Sequence, residues 1–372
     1  MDQFGLDLLA PSTEEHVYYT SEFPVYQYTF EPETVAFSLI PASPSIEPCL
    51  LIPHFTRLTL LQYPTWIPNV IFFGKEYYIS RAPEISGART ATVYEAFARA
   101  VSDMGLTRSR IGVELDRLSV QAFRSLQKVL PDAQFVDGRA VLQNTRSVKT
   151  TEEIFRLKKA AQAIEIGLEA AFSVVKPGMS ELDLDRVIRH TLLDQGCTTG
   201  YIQAGAGTRG AFGPVYPSDT KIEKGDLIRI DASARYKHYL SDICRMAVVG
   251  EPSREMNEIY SAVFTAEMEA VNMIRPGIRV ADLFDEVAQI PPSLGVEDFK
   301  RNNIGHGIGI ISHEHPILSP DSDAVLEKGM VLCLETPYYR WQVGGFAPED
   351  EVLITAGGSQ LLTTPQEHLI AL

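Results

Sequence analysis

The sequence predicts an α/β protein of two domains: a small one over 1–148, and a larger α+β one over 149–372 built from two related halves. Three observations carry this. Strand-like and helix-like patterns alternate up to about residue 148. A polar, turn-rich stretch, Asn144–Thr151 (NTRSVKTT), marks the boundary. Beyond it the chain says two things twice. EKGDLIRID at Glu223–Asp231 returns 104 residues later as EKGMVLCLE at Glu327–Glu335. VKPGMSELDLDRVI at Val175–Ile188 returns as IRPGIRVADLFDEV at Ile274–Val287.

In chain order, Val35–Ile40, Cys49–Ile52, Val70–Phe73 and Arg110–Leu115 read as strands. Helices are predicted over Thr92–Met104, with Gly105 just past the end, and over Ser119–Leu130, stopped by Pro131. His16 and His54 stand alone and are expected on the surface or satisfied in the core. The aromatic crowding at Tyr18, Tyr19, Phe23, Tyr26, Tyr28 and Phe30 is expected to pack or to form an interface. In the second domain Thr151 is expected to cap a long helix, with Glu152 and Glu153 in the first turn where the helix dipole favours acids. Apolar Ile154, Leu157, Ala160, Ala161 and Ile164 keep helical spacing, and the helix runs to about Val175, before Pro177-Gly178. Ser180 with Asp183 resembles a capping box for the next helix.

Composition excludes several classes. With 33 Lys and Arg against 48 Asp and Glu the net charge is −15, unsuited to a nucleic-acid surface. No run of eighteen apolar residues offers a membrane span. The opening MDQFGLDLLAPSTEE has no basic segment of the kind a secretory signal carries. Cys49, Cys197, Cys244 and Cys333 are scattered without a CxxC pair and are expected to be buried free thiols, so the expected compartment is a reducing cytoplasm. GAGTRG at Gly205–Gly210 fits G-x-G-x-x-G in letters only. AFGPVYPSD follows it and cannot start the helix a dinucleotide needs, so a loop lining a site is expected. No nucleophile elbow, Walker motif or HExxH is present.

The repeat points to a metal. Asp231 ends one apolar run and Glu335 ends its counterpart; Asp242 follows eleven residues after the first and Glu349 fourteen after the second. His306 and His313 lie between the halves, in GHGIGIISHE. Four carboxylates directed toward a core are untenable without a cation. Oxygen and imidazole donors suit manganese, cobalt, iron or zinc. Four carboxylates exceed the need of one catalytic zinc. They fit two ions roughly 3.5–4 Å apart that activate a bridging water, which is hydrolytic chemistry.

With those residues in place, Arg146–Gly358 resembles the pita-bread metallopeptidase family of aminopeptidase P, prolidase, methionine aminopeptidase and the metal-free relative creatinase. The N-terminal domain is similar in kind to that of the prolidase and creatinase branch, without the extra helix with which that domain usually begins. The resemblance implies metal ligands at Asp231, Asp242, His306, Glu335 and Glu349, with Glu349 rather than Glu351 as the bridging glutamate. It implies catalytic roles for His313, Glu335 and Glu349, with His313 steadying the tetrahedral intermediate and Tyr339 in the same substrate shell. Asn302 stands where the family carries a substrate-shell histidine. Pro214 marks where a second histidine is absent, and Ala347 replaces an arginine two residues before the bridging glutamate.

The expected activity is therefore two-metal hydrolysis of an amide-type C–N bond, with manganese as the expected metal and cobalt, iron or zinc as alternatives. Xaa-Pro peptides are the substrate the resemblance implies. A non-peptidase of the same fold, acting on a small polar metabolite as creatine and ectoine hydrolases or a lyase do, is the rival that the altered shell raises. A catalytically silent binding module is the third reading. The resemblance also implies a homodimer with a small peptide or small-molecule substrate.

Overall fold

The computed structural model describes residues 1–29, 36–76 and 79–372. Val35 of the first predicted strand and Phe30 of the aromatic group lie outside the described residues. Two compact units emerge, Met1–Thr145 and Arg146–Leu372.

In the first unit one sheet contains β1 (Leu8–Ala10), β2 (Phe37–Pro41), β3 (Cys49–Pro53), β4 (Asn69–Phe73), β5 (Ala88–Thr90), β6 (Arg110–Val113) and β7 (Gln134–Asp137). Their order is β5-β4-β3-β2-β1-β6-β7. Helices α1 (Glu14–Ser21), α2 (Val93–Asp103), α3 (Val120–Val129) and α4 (Arg139–Ser147) accompany it. The unbroken apolar run of β3 has a physical reason. Cys49 and Leu51 bury beside Phe97 and Val101 of α2, whereas Leu50 and Ile52 bury with Val17 of α1 and Phe72. Both faces are covered, so alternation is lost.

One sequence expectation needs adjustment here. The polar stretch from Asn144 is helical up to Ser147, because Asp137 Oδ1 accepts the Arg139 amide at 2.9 Å while Val141 and Leu142 pack on Leu6 and Leu9. Strand β1 and helix α1 had no predicted counterpart. The predicted strand from Val35 is described from Phe37 onward, as β2. His16 is satisfied rather than chemical: its Nδ1 hydrogen-bonds Glu114, which also accepts the Ser12 and Thr13 amides. Burial alone would raise the Glu114 carboxyl; these hydrogen bonds outweigh it and hold it at about 2.

In the second unit α5 (Thr151–Val174), α6 (Glu181–Asp194), β8 (Thr198–Ala206), β9 (Leu227–Tyr236), β10 (Tyr239–Leu240) and β11 (Ile243–Val248) form the first half. The second half holds α7 (Arg254–Met273), α8 (Val280–Val287), α9 (Ile290–Ser293), β12 (Gly305–Gly307), β13 (Glu314–Ile317), β14 (Val331–Glu335), β15 (Tyr338–Arg340), β16 (Gly344–Phe346), β17 (Glu349–Thr355), β18 (Gly358–Leu361) and β19 (Ile370–Ala371). The main sheet runs β10-β9-β11-β17-β14-β12-β13, with β8 on β9, β18 on β17 and β19 on β11. The α5 cap is Thr150, not Thr151: its hydroxyl accepts the Glu153 amide and Glu153 returns the bond. Ser180 and Asp183 cap α6 in the same way.

The duplication extends to the backbone. Gly178 and Gly277 hold φ near 92° and 90°, and Gly225 and Gly329 near 94° and 92°. These are left-handed turns that favour glycine. Gly178 donates to Ile222 at 2.8 Å, and Gly277 to Leu326 at 2.9 Å. Where the halves meet, β11 pairs with β17, and both sides of that seam feed one surface. On the opposite surface Arg245 grips Asp350 at 2.5 Å and the Glu349 carbonyl at 2.7 Å. Among the described residues no helix is long and apolar enough to cross a membrane.

Candidate metal centre

Cross-strand register builds the site. Asp231 pairs with Cys244, Cys244 with Glu349, and Glu349 with Glu335, so the four stand side by side on β9, β11, β17 and β14. Opposed residues in a sheet point to the same face, and so Asp231 from the first half and Glu335 and Glu349 from the second meet there with Asp242. His306 enters from β12 opposite Cys333. Asp242, at the start of β11, is fixed by its amide on Glu351 Oε1 at 2.9 Å.

Four of the donors are held by neighbours. Tyr201 hydrogen-bonds Asp242 Oδ1, and the Ser312 hydroxyl donates to Oδ2 at 2.9 Å. Gln203 Nε2 and Arg229 Nη1 approach Asp231 Oδ2 at 3.2 and 3.4 Å, leaving Oδ1 buried with no hydrogen-bond partner. Arg301 lies 3.7 Å from Glu335. His306 directs Nδ1 to the Gly307 carbonyl at 3.0 Å, so Nε2 faces Asp242 Oδ2 and Glu349 Oε1, each 3.9 Å away. Such gaps are too long for hydrogen bonds and short enough for one cation at about 2.0–2.2 Å from each donor. Ligand atoms of Asp242, His306, Cys333 and Glu349 all fall within 4.8 Å of one another.

The electrostatics agree with a cation at this place. Burial, then the other carboxylates, pushes Asp242 and Glu349 well above the usual carboxylate range. Asp231 is raised to about 6 by burial, against the pull of Arg229. Glu335 is raised by burial, against Arg301 and His313. Burial lowers His306, and burial with the adjacent His306 lowers His313 to about 4. Like charges crowded out of water in this way protonate or bind a cation. The unpartnered Asp231 Oδ1, the His306 tautomer and the donor types fit a divalent metal.

The other predicted residues divide. His313 stacks on His306 with ring centroids 3.8 Å apart. Tyr339 lies under the Arg229 guanidinium at 5.4 Å. Asn302 is exposed, Pro214 is exposed, and Ala347 is buried with its amide on Met246 Sδ at 2.8 Å. Sequence reasoning missed Tyr201, Gln203, Arg229, Arg301 and Ser312. Only Arg229 left a signal, a lone charge inside the apolar run LIRID. The loop at 207–215 does line this region: Arg229 binds the carbonyls of Gly210, Phe212 and Gly213, and Gln203 accepts the Val215 amide.

Residues 156–356 match Metallopeptidase family M24, and residues 1–148 match the Creatinase/Prolidase N-terminal domain. The chain belongs to metallopeptidase family M24. Members bind divalent metal ions, in keeping with the donor set. The chain is 34% identical over 232 residues to a Xaa-Pro dipeptidase of Pyrococcus furiosus, spanning 62% of this chain and 67% of that one. It is 33% identical over 262 residues to a Xaa-Pro dipeptidase of Pyrococcus horikoshii, spanning 70% and 74%. An uncharacterized peptidase of Bacillus subtilis is 32% identical over 287 residues, 76% and 80% of the two chains. Among solved structures, the prolidase of Pyrococcus horikoshii OT3 superposes with a TM-score of 0.84 at 27% identity, covering 100% of this chain and 97% of that one. The Xaa-Pro dipeptidase of Bacillus anthracis gives 0.86 at 26%, covering 100% and 96%. The M24 pita-bread fold is thus that of the C-terminal unit, and the chain is a metal-dependent hydrolase.

Proposed function

We propose that this M24 enzyme cleaves the peptide bond before proline in short peptides, using two divalent ions held by Asp231, Asp242, His306, Glu335 and Glu349. The observation that carries it is the row Asp231–Cys244–Glu349–Glu335, which sets carboxylates from both halves beside Asp242 and His306. Similarity to Xaa-Pro dipeptidases supports the substrate class. These residues would hold the ions, whose chemistry when bound would be Lewis-acid polarisation of the scissile carbonyl and acidification of a water to a hydroxide nucleophile. Manganese is the proposed metal.

The chain's own residues do the rest. Glu335 and Glu349 receive and return the proton that the reaction moves. His313, stacked on His306 at 3.8 Å, donates a hydrogen bond to the oxyanion that develops on the carbonyl. Tyr201 and Ser312 fix Asp242, and Gln203 and Arg229 fix Asp231. Tyr339, packed on Arg229, borders the substrate. The proposal extends to a domain boundary at 148/149, a homodimer and a cytoplasmic location.

One set of observations favours a second reading, hydrolysis of a non-peptide amide in a small polar metabolite. Asn302 and Pro214 are exposed and Ala347 is apolar, where the family resemblance implies two histidines and an arginine. A panel of Xaa-Pro dipeptides and tripeptides, assayed on manganese-loaded protein beside Glu349→Ala, tests the choice. Turnover that the variant abolishes establishes the peptidase. Two metals per chain with no turnover of any proline peptide moves the assignment to the second reading. A chain that retains no metal defeats both.

A further inference from the structure

Cys333 sits on β14 two residues before Glu335, so strand alternation gives both side chains the same face. Its register partners are His306 on β12 and Glu351 on β17. All four residues of the donor cluster it shares with Asp242, His306 and Glu349 are buried. Among the described residues the thiol has a weak partner, the Asp242 carbonyl at 3.8 Å. Beside it Glu351 spends Oε1 on the Asp242 amide and leaves Oε2 buried without a hydrogen-bond partner. An unpartnered buried oxygen next to a weakly held thiol is costly unless something binds there.

We infer that Cys333 is a further ligand of this centre, a sulfur donor that joins Asp242, His306 and Glu349 around a soft divalent cation such as zinc or cobalt(II). The inference rests on the metal reading proposed above. Coordination forms a metal–sulfur bond and releases the thiol proton to solvent, with no change in oxidation state. Thiolate donors favour zinc and cobalt, whereas manganese is content with oxygen and nitrogen. One sulfur, one imidazole and two carboxylates also complete a four-donor set of the closed kind. The chain would then distinguish metals through Cys333: manganese leaves the thiol protonated and the position open, and zinc closes it. Zinc would bind tightly and inhibit.

Cobalt(II) is the probe. Metal-free protein is loaded with cobalt, desalted, its metal counted by elemental analysis, and its near-ultraviolet thiolate-to-cobalt charge-transfer absorption recorded. Wild type and Cys244→Ala should show the band; Cys333→Ser and Cys333→Thr should retain cobalt and lack it. Zinc affinity should fall roughly tenfold or more in Cys333→Ser, in the range that lost metal-site contacts produce, with manganese affinity little changed. Bound cobalt without the band in wild type, a band that survives Cys333→Ser, or one that Cys244→Ala removes overturns the assignment of Cys333 alone. Failure to retain any cobalt overturns the metal reading beneath it.

Discussion

Arg229 Nη1 stands 3.4 Å from Asp231 Oδ2, two positions along one strand and on one face of it. A guanidinium with 1% of its side chain exposed is seldom spent on a single carboxylate. Here it also binds three loop carbonyls and lies over Tyr339. A Cβ at Gly345 would collide with its side chain and with the Gly210 carbonyl. Arg229 therefore sets both the charge of Asp231 and the position of the loop beside it.

The pH profile of an Arg229→Met variant follows from that. Burial raises Asp231 to about 6 and Arg229 opposes the rise, so removing the cation raises it further. The ionised form, the one proposed to bind metal, then needs a higher pH. The acid limb of metal retention should move up by about one unit, with Arg229→Lys intermediate. An unmoved limb in a variant that still folds would show that Asp231 does not govern it.

His313 and Glu349 should separate cleanly. His313→Ala is expected to keep its metal and lose roughly 10²–10³ in kcat, the usual loss of one oxyanion donor. Glu349→Ala is expected to lose metal and activity together. Elemental analysis beside steady-state kinetics distinguishes them, and full activity in Glu349→Ala would be incompatible with its proposed role.

In the N-terminal unit Glu114 makes stability depend on acid. Its folded carboxyl, at about 2, lies below the ordinary value near 4.5. The stabilisation is complete above the unfolded value and disappears as pH falls from about 4.5 to 2. Glu114→Gln should cost about 2–3 kcal/mol at pH 7 and almost nothing at pH 2. Denaturant melts at the two pH values measure this, and an equal cost at both would remove Glu114 as the cause.

Asp350 should matter for folding more than for chemistry. Asp350→Ala strands the buried Arg245 guanidinium, and breaking such a pair costs about 3–5 kcal/mol. Thermal unfolding should report the loss, and Asp350→Asn should recover part of it, because an amide oxygen still accepts from Arg245. A wild-type melting temperature in Asp350→Ala would leave the clamp without a role.

Much of this architecture is legible in the letters because it is written twice. The two EKG turns and the two PG turns announce identical left-handed glycines, and strand alternation then carries Asp231 and Glu335 to one face. The cap at Ser180 is local and equally plain. Helix α4 is harder, because Asn144 and Thr145 are poor helix formers; buried Val141 and Leu142 decide the matter through contacts with Leu6 and Leu9, more than 130 residues earlier. Tyr201, Gln203 and Ser312 are illegible for a related reason. Which side chain reaches Asp231 or Asp242 depends on the pairing of β8 with β9, with its bulge at Thr199/Tyr201, and no spacing in the sequence records that shift.

Glu349, Asp350 and Glu351 place three acids in succession at the start of β17. A strand that slid by one residue would still offer an acid to the reaction face, so charge alone could not tell a right pairing from a wrong one. Arg245 removes the ambiguity from behind: of the three carboxylates it donates to that of the middle acid, on the opposite surface, and Thr363 donates to the same Oδ1 at 2.6 Å. The chemistry on one side of the sheet is thus proofread by an ion pair on the other.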